Sequence, residues 1–166
     1  MKARILIISM MVICFITFPV AAFCGSETII ENGNSILHRV VNDMTDEVTY
    51  TMQLISKDEN ASLMFYADGG FSVTMYYDSF KLGNDSSAVL FRVGTMEAGY
   101  VNMTYLDHKS IVYSYDITAM NAILSDMFED QSVIRIQVTT ESGLDKTFVF
   151  DLSTFPPVCR KFLEYV

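Results

Sequence analysis

Asp68-Gly69-Gly70 sits between two apolar runs, Ser62 to Ala67 and Phe71 to Tyr77, and this arrangement constrains the fold more than any other stretch of the chain. Glycine reaches the positive φ that a tight reversal demands, so the two runs are predicted to fold back on each other as an antiparallel hairpin. The same pattern continues on both sides. Val48-Thr49-Tyr50-Thr51-Met52-Gln53-Leu54-Ile55 is rich in β-branched and aromatic residues and alternates in character, which reads as a strand ended by the polar Lys57-Asp58-Glu59-Asn60. Further strands are expected at Ala88–Val93, Val101–Tyr105, Ile111–Tyr115, Val133–Thr139 and Lys146–Leu152. Glycines at 83, 94, 99 and 143 and the charged Asp107-His108-Lys109 punctuate them. Short strands at regular turn spacing point to a sandwich or a curled antiparallel sheet.

Helical spacing occurs twice. From Ile117, apolar side chains fall at Met120, Ile123, Leu124, Met127 and Phe128, a buried stripe that Asp116 or Thr118 can cap. Near the end, Pro156-Pro157 can occupy a helix's first turn, and Phe155, Cys159, Phe162 and Leu163 then share one face. The fold class expected is mainly β (α+β): an antiparallel, sandwich-like sheet with one internal helix and a C-terminal helix. Ile36–Val41 fits either a strand or a helical turn, so residues 23–47 read as a polar N-terminal extension to a single β-rich domain over 48–166.

The chain opens with Lys2 and Arg4, runs uncharged from Ile5 to Val20, and reaches Ala21-Ala22. That is the layout of a secretory signal peptide over 1–22, and cleavage after Ala22 is the expected outcome. Cleavage after Cys24, lipidation of Cys24, and retention as an anchor are the alternatives. The expected location is therefore the periplasm of a bacterial cell. Loss of the leader removes two of the 11 basic residues and none of the 20 acidic ones, taking the formal net charge from −9 to about −11. A field of that sign repels nucleic acid and anionic membrane surfaces. Cleavage also removes Cys14, leaving Cys24 and Cys159. In an oxidising compartment these can form a disulfide, or Cys159 can be a buried apolar residue with Cys24 in a frayed terminus.

Residues that carry chemistry are sparse. His38 and His108 are the two histidines, and neighbours such as Asp107-His108 point different ways on an extended turn. Asp126, Glu129 and Asp130 gather at a helix end, but without the residue order of a calcium loop. No catalytic residue, cofactor or metal ligand is assigned, and the chain is read as non-enzymatic. Tyr76, Tyr77, Tyr113 and Tyr115 are the candidate contact residues.

From residue 43 onward the order of landmarks resembles a family of periplasmic accessory proteins associated with type VI secretion, the TagO/VasI-like group. Asp43-Met-Thr-Asp46-Glu-Val-Thr stands where the family has its acidic opening, and Leu63 to Met75 where it has its hairpin. Val89-Leu-Phe-Arg92-Val supplies the strand ending in Arg, and Phe148-Val-Phe150-Asp151-Leu152-Ser153 the closing motif, with Cys159 shortly after. The family's Arg-Cys before the hairpin is Tyr66-Ala67 here, which leaves Cys24 as the one candidate partner for Cys159. The resemblance implies a non-enzymatic envelope component that docks onto another envelope or exported protein. From motif position, Arg92 and Asp151 are expected to form a structural polar pair, with Phe148 and Phe150 buried. The other functional expectation, from charge, is an acidic inhibitor or immunity protein that neutralises a basic, lysozyme-like enzyme.

Overall fold

The structure, a computed structural model, describes residues 24–42, 44–81, 86–106, 108–130 and 132–166, with the side chains at 24, 86, 106, 108 and 109 excepted. The leader expected over 1–22 lies outside the described residues, as does Asp43. Ten strands are present: β1 (Cys24–Asn32), β2 (Ser35–Asn42), β3 (Glu47–Ile55), β4 (Ala61–Tyr66), β5 (Phe71–Met75), β6 (Ser86–Val93), β7 (Gly99–Leu106), β8 (His108–Ser114), β9 (Val133–Thr139) and β10 (Asp145–Asp151). Two helices, α1 (Ile117–Glu129) and α2 (Phe155–Phe162), complete the fold. The strands form one antiparallel sheet in the order β1-β2-β3-β4-β5-β8-β7-β6-β9-β10. This is the mainly β, α+β architecture expected, with an internal and a C-terminal helix. Among the described residues no helix is long and apolar enough to cross a membrane.

The β4–β5 hairpin forms as its glycines dictate. Gly69 has φ 94°, and the Tyr66 N–H donates to the Gly70 carbonyl at 2.8 Å. Residues 24–42, however, are part of the sheet rather than an extension to it. They make a hairpin about Gly33 (φ 60°), and β2 pairs with β3 from Ser35↔Leu54 to Asn42↔Glu47. Their polar content has a physical reason: β1 is an edge strand, and an edge is wet on one side and tolerates serine, threonine and glutamate.

Strand register separates the sheet into two faces. Leu37, Met52, Phe65, Phe71, Val112, Val89, Phe91, Ile136 and Phe148 all fall on the inner face and are buried. The Phe71 ring meets Phe65 at 6.2 Å and Phe91 at 5.9 Å, linking strands from both halves of the sheet. Both helices cover this inner face. The α1 stripe Met120, Ile123, Leu124 and Met127 is buried, and Asp116 caps the helix by accepting from the Thr118 and Ala119 N–H groups, both at 3.0 Å. α2 buries Phe155, Val158, Cys159 and Phe162, and Phe155 meets Phe128 of α1 at 5.4 Å. The sheet curls, so that β10 returns to the β3–β4 turn, where the Lys57 N–H donates to the Val149 carbonyl at 2.8 Å.

The Cys24–Cys159 bridge is not formed: Cys159 is a free, wholly buried thiol. Register explains why. Thr154 bonds Asn32 and Ser35 at the hairpin tip, and Tyr165 stacks on Tyr50 at 3.7 Å, so Cys159 lies between those levels. Cys24 is opposite Asn42, at the far end of the hairpin, whereas Tyr50 reaches only the level of Arg39 and Glu27. A disulfide needs its Cα atoms within about 7 Å. Burial pushes the Cys159 thiol up to about 12. The native protein is therefore expected to leave Cys159 untouched by an aromatic disulfide reagent, with quantitative reaction on adding denaturant; rapid labelling of the native state would contradict this placement.

Candidate functional site

The outer face of the sheet is the surface that the described helices leave uncovered. Alternation decides what it carries. On β3 the outward residues are Thr51 and Gln53; on β4 Ser62, Met64 and Tyr66; on β5 Ser72 and Thr74. On β8 Ile111 and Tyr113 face out, with Tyr115 continuing the alternation. Small hydroxyl residues let the tyrosine rings lie down over the strands. The Tyr66 hydroxyl meets Ser72 Oγ at 2.9 Å, and Tyr113 and Tyr115 meet edge to face at 5.3 Å. The Tyr115 ring also rests on Gly70, where an added Cβ would come within 3.0 Å of it. Hairpin and contact residue are thus coupled.

A second polar line runs from β2 across β3 to Tyr76, just past the end of β5. His38 Nε2 is 3.3 Å from Gln53 Oε1, and the Gln53 amide donates to the Tyr76 hydroxyl at 3.4 Å. Thr51, opposite His38 and Tyr66 in register, is buried with its hydroxyl unpaired among the described residues. Burial raises Tyr66 and Tyr76 above the usual phenol value, so both stay protonated and serve as hydrogen-bonding groups rather than bases. Burial lowers His38 below its usual 6.5, only partly countered by the Gln53 bond and by the Glu31 carboxylate.

The sign of that shift sets a pH dependence. Below about pH 6.5 the unfolded chain takes up a proton at His38 that the folded chain resists, so stability falls as pH drops through this window and levels off below the folded value. Denaturation midpoints from pH 7.5 to 5 should show this decline in the native chain and a shallower one in His38→Gln. Identical curves would show that His38 is equally solvated in both states.

The expected site residues are only partly brought together. Tyr113 and Tyr115 make one pair with Tyr66 beside them. Tyr76 lies four residues beyond Ser72, which faces Tyr113, and is therefore about 13 Å away along β5. Tyr77 follows the end of β5 and is 81% exposed. Arg92 and Asp151 do not pair: Asp151 is held by Lys57 at 3.3 Å, while Arg92 faces Arg135 in the β6–β9 register. β9 stands between β6 and β10, which separates the two expected partners. His108 opens β8, and its side chain lies outside the described residues. The acidic end of α1 is a structural cap: the Asp130 carboxylate accepts from the Thr95 and Ser132 N–H groups at 3.3 and 3.1 Å. Those bonds, led by Ser132, hold its pKa below the usual carboxylate value.

Tyr100 and Arg135 are surface residues that reading the sequence missed. Tyr100 is 74% exposed on the outer face of β7, opposite Leu90, and Arg135 is exposed on β9. The signal was available in the alternation Val133-Ile-Arg-Ile-Gln-Val-Thr139, where Arg and Gln mark the outward positions. The chain matches no family model, no curated protein and no solved structure.

Proposed function

We propose that the protein is a non-enzymatic binding module that holds another exported or envelope protein against the outer face of its sheet. The observation that carries this reading is the exposure of Tyr100 and Tyr115, 74% and 68%, on a sheet face that no described helix covers. Tyrosine offers a large, stiff contact area with a polar tip, and is enriched where binding energy concentrates. The outward hydroxyls and amide at Thr51, Gln53, Ser62 and Ser72 are buried beneath the face, so the exposed rings themselves, with Arg92 diagonal to Tyr100, offer the contact. Export rests on the leader-like opening, and the resemblance to TagO/VasI-like accessories supports a partner within a secretion or envelope assembly.

Photo-crosslinking in cells tests it. A photoreactive residue at position 115 or 100 should yield one discrete protein adduct, while the same residue at 163, which is exposed at the end of α2, should not. Adducts of equal yield from all three positions, or none from any, would overturn the assignment to this face. The net charge of −9 favours a second reading, an inhibitor that neutralises a basic enzyme. Capture steered by net charge weakens steeply between low and physiological salt, whereas contact seated on tyrosines is less affected.

A further inference from the structure

We propose that Arg92 and Arg135 form a two-guanidinium seat for a carboxylate side chain of the protein partner, with Tyr100 as the aromatic contact beside it. The inference rests on the outer face being the contact surface and names what that surface recognises. Arg92 and Arg135 are directly opposite in the β6–β9 register, and both are exposed. Their Cβ atoms are therefore about 5 Å apart on the same face, close enough for both guanidinium groups to reach one carboxylate. Tyr100 is opposite the half-buried Leu90, which precedes Arg92 by two residues on that face, so Tyr100 is the diagonal neighbour of Arg92.

What sets Arg92 apart is the second arginine facing it: exposed Arg160 likewise has no carboxylate within 4 Å among the described residues, while four other cations are paired. Arg39, Lys57 and Lys146 each have a carboxylate within 4 Å, in Glu27, Asp151 and Asp78, and Lys161 pairs with Glu164. Arg92 has no such partner among the described residues. Arg135 donates to the Gly94 carbonyl at 3.4 Å and lies in the field of Asp130, whose oxygens already accept from Thr95 and Ser132. Like charges facing each other across a ladder weaken it. With 20 acidic residues in the chain, the pair is nonetheless left with one arginine unneutralised and pointing to solvent.

Charge selects the occupant. An extended polyanion such as a nucleic acid or an anionic membrane meets the repulsion of the whole molecule, at −9. A single carboxylate brought into contact by a protein partner sits within a Debye length of the two arginines, roughly 8 Å at physiological salt, where their local attraction dominates. The guanidinium fork matches a carboxylate's two oxygens, and arginine with tyrosine is the composition of an interface anchor.

The test is a titration of the isotope-labelled full chain, followed by NMR of its arginine Nε–Hε groups. The probes are a blocked tetrapeptide with a single glutamate, the same peptide with glutamine, and inorganic phosphate. Saturable shifts at Arg92 and Arg135 with the glutamate peptide are expected, at a midpoint about tenfold below that of the glutamine peptide. They should vanish in Arg92→Gln, and a thermal melt of that variant should be no lower than that of the native chain, since a repulsion has been relieved. Equal response to the glutamine peptide, equal shifts at exposed Arg160, or tighter saturation by phosphate would each overturn the proposal. Because the titration needs no native partner, its failure leaves the crosslinking test of the outer face standing.

Discussion

Phe150→Ala is expected to lower the free energy of unfolding by about 3–5 kcal/mol, the range for truncating a fully buried aromatic ring. Phe150 is 0% exposed on the inner face of β10, opposite Ile134. β10 is paired along its length with β9 on one side and tied on the other to the β3–β4 turn through Lys57 and to the β1–β2 turn through Asn34, so little backbone can follow the ring inward to collapse the cavity. Typical domains have a stability of about 5–15 kcal/mol, so this one change removes a large share. Val149→Ala, one residue away on the outer face and half-buried, should cost under about 1 kcal/mol. Urea unfolding of both variants checks the pair. A Phe150→Ala midpoint close to that of the native chain would mean that the inner face of β10 is not packed.

What could be read from residues alone follows from the range of the interactions involved. The β4–β5 hairpin, the Asp116 cap and the α1 stripe depend on neighbours within a few positions, and each formed where its local chemistry placed it. Strand order does not have that property. Alternation assigns Arg92 to an outer face but does not say that β9 will lie beside β6, and so the Arg92–Asp151 pairing failed while an Arg92–Arg135 neighbourhood went unseen. β1 was obscured for another reason: an edge strand half in water lacks the apolar alternation by which strands are recognised, and β2, which it pairs with, carries too short an apolar run to settle its period. The four tyrosines were rightly placed on or near strands, but adjacency in sequence concealed that β5 holds Tyr76 and Tyr113 far apart.

Asn34→Ala is expected to cost about 2–3 kcal/mol, because it leaves several half-buried polar groups without partners at once. The Asn34 amide donates to the Ile55 carbonyl at 3.0 Å and to the Asp151 carbonyl at 3.1 Å. Its oxygen accepts from the Thr154 hydroxyl, and that residue's carbonyl accepts from Asn32. One side chain thus ties the β1–β2 turn to the end of β3, the end of β10 and the entry to α2. Asn34→Asp should be worse than alanine near neutral pH, since a carboxylate would face two carbonyl oxygens with no proton to offer. Its pKa would be raised in the folded state, so the variant should regain stability as pH falls through that raised value, opposite in sign to the His38 effect. A double-mutant cycle with Thr154→Val should return a coupling of about 0.5–3 kcal/mol, as for groups sharing one network. Additive costs would show that the hairpin tip and α2 are held independently.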